Sequence, residues 1–79
     1  MTINQVRQLH QAQPFKVFQI HLADGRSLKV SHPEALAIIP PGRTIVVATG
    51  EESYEVVDLL LVASLEVVNG QASGGRRRR

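Results

Sequence analysis

What acid–base or metal chemistry this 79-residue chain could do rests first on three histidines, His10, His21 and His32. They read as coming from a helix, a strand and a turn. None has the short spacing of a zinc motif, and no Cys completes such a set. Taken singly they are solvated or hydrogen-bonded imidazoles; a metal site would need all three rings to converge in space. The carboxylates read as local structure: Glu51 and Glu52 in a hairpin turn, Glu34 and Asp58 at the starts of helical turns, Asp24 in a turn of its own. No serine lies in a Gly-x-Ser-x-Gly elbow, which leaves Ser–His–acid chemistry without an anchor in the sequence. Gly25, Gly42 and Gly50 stand alone rather than in a phosphate-binding loop. The pattern predicts a protein that is not an enzyme, with no metal, no cofactor and no small-molecule substrate.

One run has an obvious electrostatic partner. Arg76, Arg77, Arg78 and Arg79 follow Gly74-Gly75, and four successive guanidinium groups can bind phosphates through counterion release and bidentate hydrogen bonds. Nucleic acid, RNA in particular, is therefore a candidate partner of these four residues; the run also reads as a solubilising or appended terminus. The formal charge of +2 belongs to it: nine Lys and Arg less these four leaves five, against seven Asp and Glu. The body is mildly acidic. Its three aromatic residues are Phe15, Phe18 and Tyr54, and both Phe read as core, so a base-stacking platform is not expected.

The elements that must position these side chains are short. Thr2 and Gln5 form a Thr-x-x-Gln capping box, and Ile3, Val6 and Leu9 recur at helical spacing until Pro14. From Phe15 the period becomes two. Phe18, Ile20 and Leu22 alternate with Gln19, His21 and Ala23. Asp24-Gly25 predicts a type I′ hairpin, and Leu28 and Val30 return facing inward. Ser31, His32, Pro33 and Glu34 predict a cap and one helical turn before Leu36; Pro40-Pro41-Gly42 predicts a loop. Residues 44–49 and 54–57 read as strands about a turn at Gly50, and Asp58 as the cap of a helical turn. In the last strand, Leu65 and Val67 are expected to face inward.

The sum is a mostly β (α+β) domain: an N-terminal helix followed by a bent five-stranded antiparallel sheet or a small, partly open barrel. The helix would lay Ile3, Val6 and Leu9 on that sheet. Residues 1–69 are expected to form a single compact domain and 70–79 a disordered basic tail. At this length only about 60% of the unfolded surface is buried, so the core is thin. The lack of Cys, of a signal-like start and of any long apolar run favours the cytoplasm and predicts no membrane span.

Two resemblances follow from these residues. The run Pro14-Phe15-Lys16-Val17-Phe18-Gln19-Ile20-His21-Leu22-Ala23-Asp24-Gly25-Arg26, then Val30-Ser31-His32-Pro33-Glu34, resembles a family of short uncharacterised bacterial proteins. Val57-Asp58-Leu59-Leu60-Leu61-Val62-Ala63-Ser64-Leu65-Glu66 is similar to that family's closing segment. The resemblance implies a bacterial source and brings no activity with it. The order of elements also resembles Sm-like and SH3-like barrels. Ser31-His32-Pro33-Glu34 interrupts the place of the Sm-like Asp-x-x-hydrophobic-Asn signature, and apolar Leu60-Leu61-Val62 stands where a basic pair precedes the last strand. No RNA-binding residue carries over. The expected function is a non-enzymatic binding module for a protein partner or for its own copies, with contacts supplied by exposed Val and Leu of residues 56–68; the alternative is RNA binding through the arginine tail.

Overall fold

The computed structural model describes residues 2–68. The expected tail, 70–79, lies outside the described residues, and with it Arg76, Arg77, Arg78 and Arg79.

Helix α1 spans Ile3–His10. Gln5 Oε1 reaches back to accept from the Thr2 backbone N–H (3.3 Å) and from the Thr2 hydroxyl (3.2 Å), so the first turn is closed as its sequence predicts. The helix stops at the Gln11 cap, three residues short of Pro14, where Arg7 and Leu9 carbonyls accept from the Gln11 and Ala12 N–H groups. Val6 is fully buried and Ile3 and Leu9 pack beside it, which lays the apolar stripe of α1 on the sheets.

Among the described residues six strands follow, not five: β1 (Phe18–Leu22), β2 (Ser27–Val30), β3 (Leu36–Ile39), β4 (Thr44–Ala48), β5 (Tyr54–Asp58) and β6 (Val62–Val67). They form two antiparallel sheets of three, ordered β2-β1-β6 and β3-β4-β5, in place of the single five-stranded sheet expected. The additional strand is β3. Leu36-Ala37-Ile38-Ile39 is a short apolar run without alternation, and such a run carries no periodic signal to separate strand from helix. A 3₁₀ turn, Pro33–Ala35, joins β2 to β3, with His32 in the cap position, Pro33 first in the turn and Glu34 after it. A second, Leu59–Leu61, joins β5 to β6; Asp58 Oδ1 caps it by accepting from the Leu60 N–H at 2.9 Å.

The core lies between the inner faces of the two sheets. Phe18, Ile20 and Val30 of the first sheet and Ile45 and Val47 of the second are fully buried, with Leu22, Leu28, Leu36, Val57, Leu59 and Val62 around them. Each full burial of this kind stabilises by roughly 1.5–3 kcal/mol. Phe15 packs against Phe18 with ring centroids 6.0 Å apart and planes tilted by 57°. In β6 the inward residues are Val62 and, partly, Leu65, while Val67 is 46% exposed. A bulge explains the departure from simple alternation: Leu22 pairs with Val62 but His21 pairs with Ser64, so Ala63 is an extra residue that shifts the phase of the strand.

The β1–β2 connection also differs from a type I′ turn. The Gly25 N–H donates to the Leu22 carbonyl (3.0 Å) and the Leu22 N–H to the Arg26 carbonyl (2.8 Å), which closes a three-residue loop with Gly25 at φ +96°. A Cβ at Gly25 would meet nothing within 4 Å, so only its backbone conformation demands glycine. Gly25→Ala should therefore destabilise the domain by about 1–2 kcal/mol through left-handed strain alone. Urea unfolding checks this: the midpoint should fall with an unchanged m-value.

Candidate functional site

Two sheets packed face to face leave two outer faces, and these differ in chemistry. On the first sheet alternation sends Gln19 and His21 of β1 outward. The registers place Ser27 and Ser64 beside His21, and Lys29 and Glu66 beside Gln19. All six are polar, the ordinary outcome for a half-buried antiparallel sheet. Three of them are joined: His21 Nδ1 lies 2.7 Å from Ser27 Oγ, and His21 Nε2 lies 2.8 Å from Glu66 Oε1. A carboxylate only accepts, so in the neutral ring Nε2 carries the hydrogen and Nδ1 accepts from the Ser27 hydroxyl. The chain hydroxyl–imidazole–carboxylate is the connectivity that orients a base toward a nucleophile. A cleft of about 450 Å³ lies alongside, lined by Ser27, Lys29 and Ser31 of the β2 segment and by Ala48 and Thr49 across from them.

The second sheet breaks the rule. Ile45, Val47 and Val57 face the core, yet the outward positions are apolar as well: Ala37, Val46 and Val56 form one cross-strand row, Ala48 and Tyr54 another, and Ile39 pairs with Thr44 beside Asp58. Tyr54 is 67% exposed and Val56 62%. Leu60 and Leu61 of the second 3₁₀ turn, which follows β5, are exposed as well. No Lys, Arg or His occurs between residues 44 and 68, while Glu51, Glu52, Glu55, Asp58 and Glu66 do. Of these, Glu55 and Glu66 are engaged with Arg26 and His21, and Asp58 caps its turn.

Arg26 ties the two sheets together. Its Nε donates to Asp24 Oδ2 (2.9 Å), and one terminal nitrogen donates to both oxygens of Glu55 on β5 (2.9 and 2.8 Å). Glu55 above all, with Asp24, raises the Arg26 pKa above its ordinary value. The Asp24 carboxyl is held below its usual range chiefly because Oδ1 accepts from the Arg26 backbone N–H at 3.0 Å, and next because of the Arg26 side chain.

The three histidines do not meet as a set. His10 Nε2 donates to the Pro33 carbonyl at 2.7 Å and so pins α1 to the first 3₁₀ turn, His32 stands in the cap position of that turn with its backbone carbonyl accepting from the Ala35 N–H (3.0 Å), and His21 belongs to the polar face. Among the described residues no group of three metal-ligating side chains comes together, and no helix is long and apolar enough to cross a membrane. Glu34 and Asp58 sit in the first turn and at the cap of their 3₁₀ turns, and Asp24 in its hairpin, as their sequence contexts predict. The residues that sequence reasoning passed over are Ser27 and Glu66. The alternation that sends Ile20, Leu22, Leu28 and Val30 inward already puts His21 and Ser27 on one outer face, so that much of Ser27 was accessible, but a type I′ turn at Asp24-Gly25 would set Ser27 opposite Leu22, and only the three-residue loop sets it opposite His21. Glu66 was not accessible, because its place depends on a pairing of distant strands and on the Ala63 bulge.

The depressed Asp24 pKa has a consequence for acid stability. A carboxyl bound more weakly by protons in the folded state stabilises fully above its unfolded pKa, near 3.9, and that contribution disappears as pH falls through the lower folded value. Asp24→Asn should therefore flatten the stability–pH profile below about pH 4 while changing little in its shape above. Urea midpoints measured across that range check it; an unchanged acid slope would contradict the assignment. No family model, curated protein or solved structure matches the chain.

Proposed function

We propose that the protein is a non-enzymatic interaction module that docks another protein on the outer face of its second sheet. The observation that carries this reading is the apolar outer face itself, Ala37, Ile39, Val46, Ala48, Tyr54 and Val56, on a sheet whose other side is already buried in the core. Surfaces of this kind in small proteins mark places where another molecule is bound. β5 is also one of the two edges of its sheet among the described residues, β3 being the other, so its outward N–H and C=O groups are open to an added strand.

The surrounding charge selects the partner's chemistry. A second copy would bring the same carboxylates and no cation from residues 44–68, whereas a segment of apolar residues flanked by Lys or Arg would complement Glu51 and Glu52 at the β4–β5 turn. We read the architecture as a small, open SH3-like or Sm-like barrel. In support, β2 and β3 follow one another across a single 3₁₀ turn; counted as one bent strand, they reduce the order to a helix, five strands and a 3₁₀ turn before the last. The described body carries five Lys and Arg against seven Asp and Glu, so a nucleic-acid role would rest on Arg76, Arg77, Arg78 and Arg79 alone.

Tyr54 is the only tyrosine and there is no tryptophan, so tyrosine emission reports on this face alone. Titration of the full chain with a peptide alternating Val and Lys should change that emission saturably, and a Val–Glu peptide should not. Val56→Lys should weaken binding at least tenfold, and Glu51→Lys with Glu52→Lys several-fold. Equal response to both peptides, or no effect of Val56→Lys, would remove the proposal. Sedimentation showing a stable dimer that Val56→Lys dissolves would assign the face to a second copy instead.

A further inference from the structure

We propose that Ser27 is an acyl-accepting nucleophile, activated by His21 and able to take an acyl group from an activated ester or thioester. The polar face of the first sheet holds three of the parts such a reaction needs. Ser27 Oγ is 2.7 Å from His21 Nδ1, within reach for proton transfer. Glu66 Oε1, 2.8 Å from Nε2, keeps the hydrogen on that nitrogen and leaves Nδ1 free to act as base. Ser27 is exposed, and the cleft of about 450 Å³ that it lines with Leu28, Lys29, Ser31, Ala48 and Thr49 has room beside it for a small acyl donor.

Strand register supplies a fourth part. The Leu22 N–H donates to the Arg26 carbonyl, so residues 22 and 26 form a hydrogen-bonded pair, and the next pair, His21 and Ser27, is non-hydrogen-bonded. This is the closer of the two pair types for side chains, consistent with the short Ser27–His21 contact. It also turns the Ser27 backbone N–H away from β1, toward the edge of β2 that pairs with no other strand among the described residues. A donor belonging to the nucleophile's own residue can stabilise the oxyanion of a tetrahedral intermediate formed on its side chain.

The step balances without a further reactant. Ser27 Oγ attacks the carbonyl carbon of the donor and its proton passes to His21 Nδ1. The C–O or C–S bond to the leaving group then breaks, and the alkoxide, phenolate or thiolate departs with the electron pair and takes up the proton as its basicity demands. The product is an ester at Ser27. Glu66 acts through His21 and is a positioning residue.

The probe is p-nitrophenyl acetate with the full chain, read by nitrophenolate release and by peptide mass mapping. The expected result is one acetyl group, on Ser27, formed in a burst that Ser27→Ala abolishes. His21→Gln should slow it by about a hundredfold, the usual scale of a positioned general base. Glu66→Gln should slow it several-fold and shift the His21 tautomer seen in nitrogen NMR, while the urea midpoint stays put. Acetyl groups spread evenly over Ser27, Ser31 and Ser53, or a rate unchanged in His21→Gln, would overturn the proposal. The same holds if His21 proves to carry its hydrogen on Nδ1 in the unsubstituted protein.

Discussion

The two-residue period of β1 is the constraint on which the rest of the molecule depends. β1 is the central strand of the first sheet, paired to β2 on one side and β6 on the other, and Phe18, Ile20 and Leu22 all point into the core. A one-residue slip would expose those three and bury Gln19 and His21, exchanging the most favourable burial in the domain for unpaired polar groups. In a chain whose core holds a dozen buried apolar side chains, no other contact could offset that loss. The register is therefore held firmly, and with it everything on the outer face. His21 meets Ser27 and Glu66 because Ile20 and Leu22 must be inside.

The two outer faces follow from the same physics with opposite results. Alternation on the first sheet puts hydrophobic residues in and polar residues out, and the polar residues are close enough to bond to one another. On the second sheet β-branched residues occupy both sides of β4, Ile45 and Val47 inside with Val46 outside, and Val56 of β5 continues the outer row. Such runs are normal for a strand covered on both faces. The domain itself covers only one. Arg26 matters to both faces, because its guanidinium bridges the hairpin of the first sheet to Glu55 of the second and so joins the two sheets at the surface as Phe18 and Ile45 join them in the core.

Much of the local structure was legible in the residues. The Thr2–Gln5 box, the stripe Ile3–Val6–Leu9, the alternation of 18–22, the glycine at 25 and the cap at Asp58 each depend on groups a few positions apart, and each is found as read. Two of the departures occur where the deciding contact is distant, and a third is local. β3 exists because Leu36-Ala37-Ile38-Ile39 pairs along β4, and nothing inside that run signals a strand. The bulge at Ala63 against β1 turns Val62 into the core in step with Leu65, while Val67, opposite Phe18 at the far end of the strand, stays 46% exposed. The loop after Leu22 takes three residues, since the Leu22–Arg26 pair and not the Asp24-Gly25 dipeptide closes it.

The sequence by itself determined the helix, five of the six described strands, the caps at Thr2 and Asp58, the acidic balance of the body and the absence of thiol chemistry. These depend on composition and on interactions between near neighbours. Only the tertiary structure decided that the strands divide into two sheets, that one outer face is a hydrogen-bonded polar network and the other an apolar surface, and that Ser27, His21 and Glu66 meet. The reason is physical: residues 45 positions apart come together only through a pairing register, and that register is chosen by the burial of the whole core.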